Sequence, residues 1–170
     1  MKRTLDIALI TSLGAGFSPI APGTAGALAG VVAWLIGAFC GLSYQHLWLA
    51  TFACIILFTI ISIGPINRME KEWGADPSRV VIDETVGVWI CLLGVPEGTY
   101  PTAAHTFAGW TPAFLLWVGA AFVLFRFFDI LKPLGIRRME RYPGGWGVMA
   151  DDILSGVYGL IVLSVAQLFI

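Results

Sequence analysis

The sequence predicts an all-α, polytopic membrane bundle of about five spans, preceded by a short N-terminal segment that is amphiphilic or re-entrant. Three observations carry that prediction. Of 170 residues, 58% are hydrophobic and only 12% charged, and the mean hydropathy is +0.84, whereas soluble domains carry about 25% charged residues. The apolar residues gather into runs close to the roughly 20 residues that a helical span needs. All ten Lys and Arg residues fall at one side of those runs. A chain of this length suits one compact unit, residues 1–170.

An amphiphilic start, Met1 to Leu13, leads into a Gly/Pro-rich stretch, Gly14 to Gly23. A first full span follows from Thr24 to about Cys40. A second runs from His46 to Ile66 and ends in a mixed-charge foot, Asn67 to Trp73. Val80 to Val95 is a short third span, stopped by Gly94 and Pro96, which continue helices poorly. Pro96 to Pro112 reads as a connection with a partly buried turn around Ala103 to Trp110. Ala113 to Leu131 is the next span, closed by Lys132-Pro133, and a last helix begins at Ala150.

Orientation follows from the cations. Lys2, Arg3, Arg68, Lys71, Arg79, Arg126, Lys132, Arg137, Arg138 and Arg141 mark one side, and the connections 41–45 and 96–112 contain no Lys or Arg. By the positive-inside rule that side is cytoplasmic. Five acids then lie at the cytoplasmic ends of apolar runs: Asp83, Glu84, Asp129, Asp151 and Asp152. Carboxylates at membrane depth are costly and usually face the bundle interior, where they carry function. We read them as one metal site.

Each acid also has a plainer reading. Asp151 or Asp152 could cap the last helix, where backbone N–H groups favour anions. Capping explains one of them, while Ser155, Gly156 and Gly159 below the other suggest a face packed closely on a neighbour. Asp83 and Glu84 are about 100° apart on a helix, so they are not expected to point the same way. Asp129 could simply pair with Arg126 or Lys132 on its own helix. Two cations for one acid leave positive charge over, which suits a phosphate oxygen. Gathered carboxylates repel one another, by about 1–4 kcal/mol per pair at 4 Å, and a divalent ion removes that penalty. An oxygen-only ligand set favours Mg²⁺. Thr24 can cap its span and Gly23 lets a ligand approach the backbone. His46 and His105 read as interfacial or structural, and Cys40, Cys54 and Cys91 as unpaired thiols. With no Cys-x5-Arg, Asp-x-Asp, covalent triad or Walker loop present, metal-assisted attack by water remains.

Four blocks then carry a resemblance: GAGFSPIAPGTAGALAG (Gly14–Gly30), DPSRVVIDETVG (Asp76–Gly87), FRFFDILKP (Phe125–Pro133) and GGWGVMADDILSG (Gly144–Gly156). In order and over nearly the whole chain, they resemble the signature blocks of phosphatidylglycerophosphatase A. The resemblance implies a Mg²⁺-dependent phosphatase of the bacterial inner membrane that converts phosphatidylglycerophosphate to phosphatidylglycerol and phosphate. Its active site would be cytoplasmic, its partners the phospholipid substrate and the membrane, and no nucleic acid. Asp83, Asp129, Asp151 and Asp152 would be metal ligands, with Asp83, Asp129 and Glu84 catalytic and Glu84 the base. Thr24, Gly23, Arg126 and Lys132 would contact phosphate. Leu134-Gly135 departs from the aromatic or proline expected in many relatives and affects the substrate rim. The alternative from another class is a cation- or proton-coupled transporter using the same carboxylates.

Overall fold

The computed structural model describes residues 2–74, 77–101 and 107–169. Six α-helices account for most of them: α1 (Lys2–Ile10), α2 (Pro22–Phe39), α3 (Tyr44–Trp73), α4 (Ile82–Leu92), α5 (Pro112–Leu131) and α6 (Gly145–Ala166). Among the described residues there is no strand, so the all-α class stands. Of the roughly five expected spans, four helices are long and apolar enough to cross a membrane, namely α2, α3, α5 and α6. The expected short span is α4. At 11 residues it is only about 16 Å long, against about 30 Å of hydrocarbon.

The short helix is the central pillar, in contact with α2, α3, α5 and α6. Nine of its 11 residues are buried, which explains why its sequence is apolar all round rather than striped. Glycines let its neighbours come close. A Cβ on Gly156 of α6 would meet the Gly87 carbonyl, and a Cβ on Gly87 would strike the Phe125 ring and lie 2.8 Å from the Asp152 carbonyl oxygen. Towards α2, Thr85 Oγ1 donates to the Gly26 carbonyl (3.0 Å) and Trp89 Nε1 to the Gly30 carbonyl (2.8 Å). The apolar core falls into two clusters on either side of α4, one around Trp34, Phe114 and Phe125, the other around Ile66, Met69 and Met149.

The helix starts differ from the sequence boundaries in ways that matter below. The expected cap Thr24 sits inside α2, which begins at Pro22 after Ala21, a left-handed N-cap residue (φ 48°) with no side-chain cap bond. Proline at the first helical position supplies the preset φ instead. α6 begins at Gly145 rather than Ala150, so Asp151 and Asp152 lie well inside the helix and cap nothing. The second span and its charged foot form one 30-residue helix, α3. It is about 45 Å long and overshoots the hydrocarbon at the charged end. There α1 docks on it through Arg68 and Asp6 (2.8 and 2.9 Å) and through Arg3 and Glu72 (2.6 Å). The Arg68 guanidinium holds the Asp6 carboxyl below its ordinary range.

Ser43 caps α3 and shares a 2.7 Å hydrogen bond with His46 Nδ1, a structural role for that histidine. All three thiols are unpaired. Of the expected turn at 103–110, residues 102–106, including His105, lie outside the described residues; Phe107–Gly109 form a 3₁₀ turn.

Candidate active site

The site is assembled by the first turn of α4. Val81 N–H, just ahead of it, donates to the Ile10 carbonyl at the end of α1 (2.8 Å), and Thr85 shares a 2.6 Å hydrogen bond with Ser12. Fixed from both sides, this turn presents Asp83 and Glu84 where acids also meet the favourable end of the helix dipole. Close contact of α6 at Gly87 then delivers Asp152 to the same place.

The expectation that Asp83 and Glu84 point apart does not hold. Asp83, Glu84 and Asp152 each offer a carboxylate oxygen, and those oxygens lie within 4.8 Å of one another. Their Cα–Cβ bonds do diverge around the helix, but the longer Glu84 side chain still brings an oxygen to the cluster. Gly23 permits this, because a Cβ there would collide with Glu84 Oε1 and lie 3.3 Å from Arg126 Nη1.

Asp129 and Asp151 line the same cavity in company with cations. Arg126 Nη1 lies 2.5 Å from Asp129 Oδ2, three residues on along α5. The pair is a contact of charges without hydrogen-bond alignment, since Arg126 Nη1 and Nε have no hydrogen-bond partner. Lys132 ends α5 in a left-handed conformation (φ 44°), which carries its ammonium to Asp151 Oδ2 at 2.5 Å. Left-handed backbone at a non-glycine residue costs about 1–3 kcal/mol and concentrates at functional sites. Here it occurs at both Ala21 and Lys132, and both line the cavity.

That cavity measures about 580 Å³ and is lined by Gly23, Asp83, Glu84, Arg126, Asp129, Lys132, Asp151 and Asp152 among others. Thr24, one residue beyond Gly23, is not among the lining residues. Four carboxylate oxygens are buried without a hydrogen-bond partner, one each from Asp83, Glu84, Asp151 and Asp152. Orphaned buried acceptors of this kind call for an explanation. A hard divalent cation fits both the donor chemistry and the crowding of negative charge. The donors available to it are Asp83, Glu84 and Asp152, with the remaining oxygen of Asp151 beside them.

Sequence reasoning missed Asn67. Its side-chain Oδ1 accepts from Gly145 N–H at 2.6 Å, so α3 caps α6 from outside, and a Cβ on Gly144 (φ 61°) would collide with that same oxygen. The signal available was a lone amide just past Pro65, together with the run Gly144-Gly145-x-Gly147. Glu70, Tyr142 and Gly144 also line the cavity unforeseen.

A bundle of apolar helices with a buried acidic and cationic cavity at its charged end defines an integral membrane protein built to handle a charged ligand. The phosphatidylglycerophosphatase A family model matches residues 8–167, and the chain belongs to that family; it is a phosphatase. It is 32% identical to phosphatidylglycerophosphatase A of Escherichia coli K12 over 157 residues, covering 91% of this chain and 79% of the relative. Against the enzyme of the same name from Haemophilus influenzae the identity is 34% over 161 residues, 94% and 86% of the two chains. A Bacteroides thetaiotaomicron protein is 47% identical over 169 residues, 98% of each chain, and carries the provisional name phosphatidylinositol-3-phosphatase. No solved structure matches. The transporter alternative finds no support in this family assignment.

Proposed function

We propose that the protein is a Mg²⁺-dependent lipid phosphatase that hydrolyses the terminal phosphomonoester of phosphatidylglycerophosphate, releasing phosphatidylglycerol and phosphate. The carrying observation is the set of four carboxylate oxygens without hydrogen-bond partners on residues that line one cavity, which Arg126, ion-paired with Asp129, also lines. Asp83, Glu84 and Asp152 would hold the cation, with Asp151 adjoining and Asp129 orienting Arg126. When bound, Mg²⁺ would offset the negative charge on the phosphoryl oxygens and lower the pKa of the attacking water.

The remaining work falls to the chain's own groups. Arg126 offers two nitrogens without hydrogen-bond partners to the phosphate, and the N-terminus of α2 at Gly23 adds unpaired backbone donors beside them. Lys132 reinforces the positive side. Glu84 is our assignment for the base: with its other oxygen on the cation, Oε2, which is buried without a hydrogen-bond partner, would take a proton from water as the water oxygen attacks phosphorus. The bond from phosphorus to the glycerol oxygen breaks, and that proton returns to the leaving alkoxide. The low-dielectric walls strengthen every one of these interactions.

The positive-inside pattern supports a multi-pass topology in the bacterial cytoplasmic membrane with the cavity on the cytoplasmic side, and residues 1–170 acting as one catalytic unit. The test is phosphate release by purified protein from phosphatidylglycerophosphate and, separately, from phosphatidylinositol 3-phosphate, each with Mg²⁺ or EDTA. Fast release from the first, abolished by EDTA, is expected. Preference for the second would move the substrate assignment towards the name of the Bacteroides relative, and release unaffected by EDTA would remove the cation from the scheme.

A further inference from the structure

Resting on the lipid phosphatase reading, we propose a lateral lipid portal between the first turn of α2 and the last turn of α5, with Ile20 and Ile130 as its two sides. The cavity of about 580 Å³ takes a phosphorylated glycerol head group but not two long acyl chains as well. A phospholipid handled there must leave its tails outside, through a mouth with an apolar edge.

The cavity has one such edge. Ile130 lines it yet is 65% exposed. On α5 it shares a face with Arg126, four residues earlier. Across the cavity, Ala21, Pro22 and Gly23 line the wall and Ile20 immediately precedes them, 81% exposed. The Arg126 side chain of α5 reaches across to the first turn of α2, since a Cβ on Gly23 would lie 3.3 Å from Arg126 Nη1. Beyond Ile130, the exposed Leu131 and Leu134 continue the apolar strip, and Leu134 is held in a left-handed conformation (φ 54°) that places a bulky side chain outward.

Lipid contact along the spans accounts for Ile130 and Leu131, which lie in α5, but not for Ile20 and Leu134. Ile20 and Leu134 lie outside the helices, at the end of the molecule that carries the cations. Much of the remaining lining is polar, with Glu70, Ser78 and Tyr142 beside Val80 and Val148. A cavity with one polar and one apolar lip matches a ligand with a charged head and hydrocarbon tails. It would bind that ligand without drawing it from the bilayer.

The test compares phosphate release from dioleoyl phosphatidylglycerophosphate in vesicles with release from the dihexanoyl compound presented as monomers. Ile20→Asp and Ile130→Asp, singly and together, are set beside Ile20→Leu and Ile130→Leu. A charge among the tails is expected to lower the dioleoyl-to-dihexanoyl ratio by about tenfold or more in the Asp variants, with the Leu variants close to the unmutated ratio. An unchanged ratio, including equal loss on both substrates, overturns the portal while leaving the phosphatase reading in place. Failure of the unmutated protein to act on either substrate overturns both.

Discussion

The two ends of α4 are built on opposite terms. At its C-terminal end, Trp48 Nε1 donates to the Leu93 carbonyl (3.2 Å), Gln167 Nε2 to the Gly94 carbonyl (2.8 Å) and Tyr44 O–H to the Val95 carbonyl (2.9 Å). The carbonyls that close the short helix and its terminal turn thus find donor partners on neighbouring segments, as an apolar environment demands. At the N-terminal end, 11 residues away, buried carboxylate oxygens are left without any partner. One end is closed by the chain itself, and the other, in the function proposed above, would be completed by a bound cation. The difference separates scaffold from site within a single helix.

Asp152→Asn breaks the comparison most sharply. It removes a ligand charge from the crowded end, and phosphate release with Mg²⁺ should fall by about a thousandfold or more. The same change relieves like-charge repulsion, so the unloaded variant should be at least as heat-stable as the unmutated protein. Its melting temperature should lose the rise that Mg²⁺ gives the unmutated protein. Thermal denaturation in detergent with Mg²⁺ or EDTA reads both effects. A variant that melts early and still responds to Mg²⁺ would assign Asp152 to the scaffold.

Gly23→Ala should come next, lowering activity by about ten- to a hundredfold with the fold kept. The added methyl meets the flexible end of Glu84 rather than backbone, so it displaces a working carboxylate without unpacking a helix. Steady-state kinetics would show the loss mainly in kcat. A loss confined to KM would indicate that Gly23 serves phosphate contact alone. Asn67→Ala tests the support behind the site: removing a helix cap costs about 0.5–2 kcal/mol. Because α6 carries Asp151 and Asp152, the Mg²⁺ concentration for half-maximal activity should rise several-fold. A stability loss with unchanged Mg²⁺ dependence would make Asn67 a cap and nothing more.

How much of this was legible in the sequence follows the same division. The spans α2, α3 and α5 were readable because long apolar runs bounded by Pro, Ser or Thr leave little choice. So was the one-sidedness of the cations, which gathers Arg126, Lys132 and the five acids at a single end. The length of α4 was less legible, since a helix buried all round has no stripe to mark its limits and its last carbonyls bond to side chains from distant positions such as Gln167. The start of α6 was misplaced because Gly144 and Gly145 read as loop. The helix instead starts at Gly145, whose N–H is capped by Asn67, 78 residues earlier in the chain. The convergence of Asp83 and Glu84 was hidden for a similar reason: it depends on the absent side chain of Gly23, on another helix.

The smallest effect belongs to the closed end. Trp48→Phe keeps an aromatic ring, though a smaller one, and removes the donor, leaving the Leu93 carbonyl to find another partner. In membrane bundles one such bond is worth about 0.6 kcal/mol on average. The expected result is a melting temperature lowered by a degree or two, with activity and Mg²⁺ dependence unchanged. The contrast with Asp152→Asn is then complete in sign as well as size, because losing a partner at the closed end destabilises while losing a charge at the open end does not. A large drop in activity for Trp48→Phe would mean that the C-terminal end of α4 sets the position of Asp83 and Glu84 through the helix axis, and the two ends would have to be treated as one mechanical unit.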